Sequence, residues 1–210
     1  GLKYLDEIYE EDETSKILIE KKLSGVEVSV LAFCNGKKAY LMPPARDFKR
    51  IYDGDIGPNT GGMGAICPGD LLDVIQLQRI QAYMDSVVLN LGYKGVLYAG
   101  LMVNYDNKDV ENMELLQHKY KNGYYLPGDN STIHFLEFNC RFGDPETQPI
   151  MMRLKSDLAE ACLSVLDGDA QNVSLEWDSR AALGVVLAAQ GYPLSYESGE
   201  IITGLDSHVT

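Results

Sequence analysis

The run Gly95-Val96-Leu97-Tyr98-Ala99-Gly100-Leu101-Met102-Val103 constrains the fold more than any other stretch. It is continuously apolar, too short for a membrane span, and carries no charge. Such a run predicts a central strand covered on both faces, and so a sheet with a layer on each side. Neighbouring strands are readable nearby. Val26 to Phe33 reads as one strand, and Lys38 to Met42 as its partner across the turn Cys34-Asn35-Gly36-Lys37. Asn-Gly between apolar runs is a strong hairpin signal. Ile133-His134-Phe135-Leu136-Glu137-Phe138 reads as a further buried strand.

That last strand runs into polar residues. A buried strand carries charge only for a reason, and residues two apart share a face. Glu137, Asn139 and Arg141 therefore project together. Glu and Asn offer hard oxygens that suit Mg²⁺ or Mn²⁺, and Mg²⁺ commonly takes only one or two protein ligands. Arg141 beside them suits anionic oxygens. The competing reading is a Glu–Arg pair at the solvated end of a strand. Glu27, near the start of its strand, reads by itself as an exposed edge carboxylate.

A second stretch, Asp53-Gly54-Asp55-Ile56-Gly57-Pro58-Asn59-Thr60-Gly61-Gly62-Met63-Gly64-Ala65, reads as a glycine-rich loop. Glycines let a backbone turn and a ligand approach closely. Successive backbone N–H groups there could cradle an anion, with Lys49 and Arg50 adding positive charge. It is neither a Walker loop, lacking Gly-Lys-Ser/Thr, nor a dinucleotide fingerprint, since no strand feeds it.

Several further elements are expected. A helix spans about Asp70 to Leu91, with Leu77, Ile80, Met84, Val87 and Leu91 as its buried stripe and Gly92 as its stop. Another begins after Pro145 and ends before Gly168. Leu158, Ala161, Cys162 and Val165 form its buried side, and Ser156-Asp157 caps a second segment of it. Leu2 to Glu11 reads as a short amphipathic helix. Ile17 to Glu20, Ala181 to Ala189 and Gly199 to Gly204 read as strands, and Trp177 as packing. Asn104 to Asn130, polar and broken by Gly123 and Pro127-Gly128, reads as a surface excursion.

Composition narrows the function. A net charge of −13 argues against a nucleic-acid surface. Cys34, Cys67, Cys140 and Cys162 have no close pair, and His118, His134 and His208 are isolated, which argues against zinc. Free thiols fit a reducing, cytoplasmic setting. No apolar run approaches the roughly 20 residues of a membrane span.

Two motifs, Gly57 to Ala65 and Leu136 to Gln148, resemble the glycinamide ribonucleotide synthetase (phosphoribosylamine–glycine ligase) family. Gly95 to Met102, Leu154-Lys155-Ser156-Asp157-Leu158 and Gly191-Tyr192-Pro193 support it. The resemblance implies an α+β, ATP-grasp core: a mainly antiparallel sheet flanked by helices. It implies ATP with Mg²⁺ or Mn²⁺, and the substrates glycine and 5-phosphoribosylamine. Residue by residue, it implies Glu137 and Asn139 as metal ligands and Arg141 and Lys49 as the catalytic cations. Glu20, Lys21, Leu23 and Glu27 would hold the nucleotide. Asp53, Asp55, Asn59, Thr60, Gly61, Gly62, Met63 and Asp144 would line the substrate pocket. The hinge Glu20-Lys21-Lys22-Leu23 departs from the family, which usually has a second acid and an apolar residue there. Phe48 stands where a His is usual. The resemblance also implies a fragment, with residues 1–22 as the end of the ATP-grasp lid and the hinge. Residues 23–205 would be the catalytic core, with an insertion at about 104–130. Residues 206–210 would open a C-terminal region. The rest of the parent polypeptide, with its Rossmann-like domain and lid loop, becomes the expected partner, and the fragment alone should bind ATP weakly.

Overall fold

The computed structural model describes residues 8–10, 12, 14–69, 71–104, 132–167 and 173–204. Its centre is a four-stranded sheet, ordered β2 (Ala39–Leu41), β1 (Val26–Asn35), β7 (Lys94–Asn104) and β8 (Thr132–Asn139). Every pairing in it is antiparallel. A second sheet joins β3 (Arg46–Asp47), β6 (Gly64–Cys67) and β9 (Ala182–Val185), and β4 (Arg50–Tyr52) pairs with β5 (Ile56–Asn59). The helices that pack on these sheets among the described residues are α1 (Val74–Leu91), α2 (Thr147–Arg153) and α3 (Leu158–Asp167). This is the mixed, mainly antiparallel architecture expected.

The apolar run is the central strand β7, flanked on both sides. One face of the sheet presents Val28, Val30, Ala32, Leu97, Ala99, Leu101 and Val103 to Ile80, Met84 and Val88 of α1. On the other, Leu31, Phe33 and Tyr98 pack with Ile150 of α2 and Ala161 and Val165 of α3. The β1–β2 turn forms as expected. Gly36 takes a φ of +87°, and Asn35 Oδ1 accepts the N–H groups of Lys37 and Lys38 at 3.0 and 2.9 Å.

Helix α1 starts later than its periodicity suggested. Asp73 is the N-cap, accepting from Gln76 N, while Gln76 Oε1 accepts from Asp73 N. This capping box, not the preceding apolar residues, sets the first turn. Replacing Asp73 by Ala should lower stability by about 1 kcal/mol, read as a lower urea midpoint with an unchanged slope. The buried stripe is Gln76, Ile80, Met84 and Val88, and Leu91 is 74% exposed. Gly92 ends the helix in the left-handed conformation, as expected.

Other expectations shift. The helix after Pro145 does divide at the expected second segment, where Asp157 Oδ1 accepts from Glu160 N. Ala161 and Val165 are buried there, but Leu158 is 39% exposed. Residues 17–20 and 199–204 form no strand, because no strand among the described residues pairs with them; Leu18, Ile19, Ile201 and Ile202 are exposed. The 181–189 strand is confined to Ala182–Val185, which pairs with β6. Strand β8 lies at the sheet edge, so Leu136, Glu137 and Phe138 are exposed rather than buried. Of the expected 2–11 helix, Ile8, Tyr9 and Glu10 are helical and the rest lies outside the described residues, as does 105–130. No described helix is long and apolar enough to cross a membrane.

Candidate active site

Strand register assembles the site. Directly paired residues share a face. Glu27 pairs with Met102, Ser29 with Gly100 and Leu31 with Tyr98. Gly100 in turn pairs with Glu137, and Tyr98 with Asn139. So Glu27, Ser29, Tyr98, Glu137 and Asn139 occupy one face, the one that α2 and α3 cover as far as Tyr98. Gly100 sits in the middle of this group. A Cβ there would lie 3.4 Å from Glu137 Cγ, so glycine keeps the floor open. A bulge beside Gly100 leaves Leu136 unpaired and keeps Glu137 and Asn139 in step.

Glu137 and Asn139 are side by side, as expected. The Asn139 amide nitrogen donates to Glu137 Oε1 at 2.8 Å. Both line a cavity of about 330 Å³ that also meets Arg141, Lys49, Asn59, Thr60, Gly61 and Asp144. No group of three or more His, Cys, Asp or Glu able to hold a metal occurs among the described residues. One carboxylate and one amide fit an ion that takes most of its oxygens from phosphate and water.

Lys49 Nζ contacts Glu27 Oε2 at 2.9 Å. Burial pulls the Lys49 ammonium down, but Glu27, then Asp47 and Glu146, more than offset this, and its pKa rises. Lys49 is therefore a fixed cation. It lies between the 330 Å³ cavity and a larger one of about 550 Å³ that reaches Leu23, Glu27, Asp55 and Asn59.

The rest of the glycine-rich stretch behaves differently. It forms the β4–β5 hairpin, a short loop at Thr60, Gly61, Gly62 and Met63, and then β6. Four of its N–H groups are already used. Thr60 N donates to Lys49 O, Gly61 N to the Tyr192 hydroxyl, Gly62 N to Thr60 Oγ1 and Met63 N to Phe48 O. No backbone anion cradle is left over these four residues. Met63 faces away, lining an apolar cavity with Tyr52 and Tyr192. Asp53 stands exposed at the hairpin turn, and Glu20 and Lys21 are exposed; none of the three lines these cavities. Gly62 is buried where the two motifs meet, against Pro145 and Asp47.

The sequence reading missed a buried polar cluster. Ser29 Oγ at 2.7 Å and the Tyr98 hydroxyl at 2.8 Å both donate to Glu146 Oε1. Burial, the largest influence, raises the Tyr98 phenol far above its usual range, which keeps it a donor. Asp47 stands close by, and its Oδ1 is buried without a hydrogen-bond partner. Burial first, then the charge of Glu146, push Asp47 up to about 7, against the pull of Lys49. The signal was present as a lone Ser in the apolar β1 run and a Tyr in β7.

Residues 1–147, about 70% of the chain, match the family described as phosphoribosylglycinamide synthetase, ATP-grasp (A) domain. Phosphoribosylamine–glycine ligase of Rhodopirellula baltica is 42% identical over 199 residues, covering 91% of this chain and 40% of the relative. The Salmonella typhimurium ligase is 41% identical over 200 residues, covering 92% and 41%. Among solved structures, phosphoribosylamine–glycine ligase from Thermotoga maritima superposes with a TM-score of 0.62 at 32% identity, over 85% of this chain and 40% of that one. Phosphoribosylglycinamide synthetase from Anaerococcus prevotii shares the fold, with a TM-score of 0.53 at 13% identity, over 90% and 42%. The chain thus spans about two fifths of the length of the relatives it matches. By its profile match, its identity to these ligases and its antiparallel core, the chain belongs to the phosphoribosylglycinamide synthetase family, in its ATP-grasp domain.

Proposed function

We propose that this chain is the ATP-grasp core of a longer cytoplasmic phosphoribosylamine–glycine ligase. The reaction joins glycine to 5-phosphoribosylamine through glycyl phosphate and releases ADP and phosphate. The observation that carries the reading is convergence. Glu137, Asn139, Arg141 and the Lys49–Glu27 pair meet around connected cavities at one end of one sheet face. Such an arrangement suits phosphoryl transfer, where positioning and charge neutralisation dominate.

Glu137 and Asn139 would hold Mg²⁺ or Mn²⁺, which when bound would neutralise phosphate charge. Lys49 and Arg141 present fixed cations to the transferred phosphoryl group. Glu27 and Leu23 line the larger cavity and would contact the nucleotide, while Asp55 at its edge, with Asn59, Thr60, Gly61 and Asp144, would border the amine substrate. On this reading residues 1–22 end the lid and 206–210 open the next region, with the remainder of the polypeptide completing the nucleotide pocket. Full-length protein with ATP and a divalent cation should release ADP only when glycine is added, and yield glycinamide ribonucleotide when phosphoribosylamine follows. ADP release indifferent to glycine would overturn the reading.

A further inference from the structure

We propose that Asp47 is a further catalytic residue, whose buried Oδ1 receives the N–H of the attacking amine in the cavity it shares with Glu146. The proposal rests on the ligase reading above.

Four observations converge. First, Asp47 Oδ1 is buried and has no partner, a costly state for a carboxylate oxygen unless a ligand completes it. Second, the cations and hydroxyls around it are committed elsewhere. Lys49 contacts Glu27 at 2.9 Å, and Ser29 and Tyr98 donate to Glu146. Third, Asp47 lines the cavity that holds Glu137, Asn139 and Arg141, so it borders the space where an acyl phosphate would form. Fourth, Gly62 and Gly143 pack closely against the two carboxyl groups, where no side chain would fit. A Cβ on Gly62 would lie 2.9 Å from Asp47 Oδ1, and one on Gly143 would lie 2.5 Å from Glu146 Oε2.

The charged and titratable groups facing Asp47 in these cavities are Glu146 and Asp144 from the turn before α2, Lys49 after β3, Glu27 from β1, Glu137 from β8, Arg141 just after β8 and Tyr98 from β7. Burial and Glu146 set Asp47 to titrate near neutrality, which suits a proton acceptor. The step balances. The amine lone pair forms the C–N bond to the acyl carbon, and the C–O bond to phosphate breaks with its electrons leaving on phosphate. The N–H proton passes to Asp47 Oδ1 and from there to solvent.

The test uses the full-length protein and two readouts. One is ligation to phosphoribosylamine; the other is trapping of the acyl phosphate by hydroxylamine as glycine hydroxamate. Asp47→Asn should lower ligation about 10²- to 10⁴-fold and leave hydroxamate formation within about twofold. Ligation within tenfold of wild type, or an equal loss in both readouts, would overturn the proposal. Glu146→Gln keeps acceptors for Ser29 and Tyr98 but removes the neighbouring charge, so the acid limb of ligation should move to lower pH. A limb that stays put also overturns it. Wild type giving neither product would instead refute the ligase reading itself.

Discussion

Glu137→Gln should weaken Mn²⁺ binding to the full-length protein by at least about 100-fold in the presence of ATP. Gln keeps the shape, and its amide oxygen can still accept from Asn139 Nδ2, as Glu137 Oε1 does at 2.8 Å. Glu137 is exposed at the sheet edge, so the fold should tolerate the change. Only the charge is lost. Disturbing an outer-shell partner already costs 10- to 100-fold in metal affinity, and loss of the single carboxylate ligand should reach or pass the upper figure. Coulomb attraction agrees: a unit charge pair at 4 Å is worth about 4 kcal/mol at an effective dielectric of 20. Titration followed by Mn²⁺ electron spin resonance reads this directly. Equal affinity in both proteins would remove Glu137 from the metal site.

Gly62→Ala should have the largest effect on stability. Gly62 has a φ of +126°, a conformation that L side chains avoid. The added methyl would overlap Pro145 Cδ and lie 2.9 Å from Asp47 Oδ1. Backbone strain at such a position costs about 1–3 kcal/mol, and overpacking about as much again. The neighbour is a proline ring, which has little room to yield. The expected result is a loss of about 2–6 kcal/mol in urea unfolding of the 210-residue chain. A midpoint shift equivalent to under 0.5 kcal/mol would show that Gly62 and Pro145 are not packed as described. Gly54 offers a control: it also has positive φ, but nothing lies within 4 Å of an added Cβ, so only strain is felt.

The period-two pattern of β8 sufficed to put Glu137 and Asn139 together, because alternation is a property of one strand. The same pattern could not show that β8 is an edge, since that depends on what lies beside it. The stripe of α1 held at Ile80 and Met84, and Val87 packs half-buried beside them, but at its ends the contact shifts for a similar reason: Gln76 and Val88 are buried, while Leu91 is exposed. The glycine-rich stretch misled most. Its composition suits an anion-binding turn, yet four of its N–H groups bond to Lys49 O, Phe48 O, Thr60 Oγ1 and Tyr192.

By itself the sequence determined the central strand, the β1–β2 hairpin, the Gly92 stop, the side-by-side placement of Glu137 and Asn139, and, through its two motifs, the family. All of these are written in neighbouring residues, where backbone geometry and side-chain alternation act locally. Only the tertiary structure decided that Ser29, Asp47, Tyr98 and Glu146 share one buried pocket. They come from β1, β3, β7 and the turn before α2, and the bridge between Ser29 and Ala45 draws β3 against β1. Burial and unmet hydrogen bonds are properties of that assembly, because the water each carboxylate loses is displaced by residues far away in the chain.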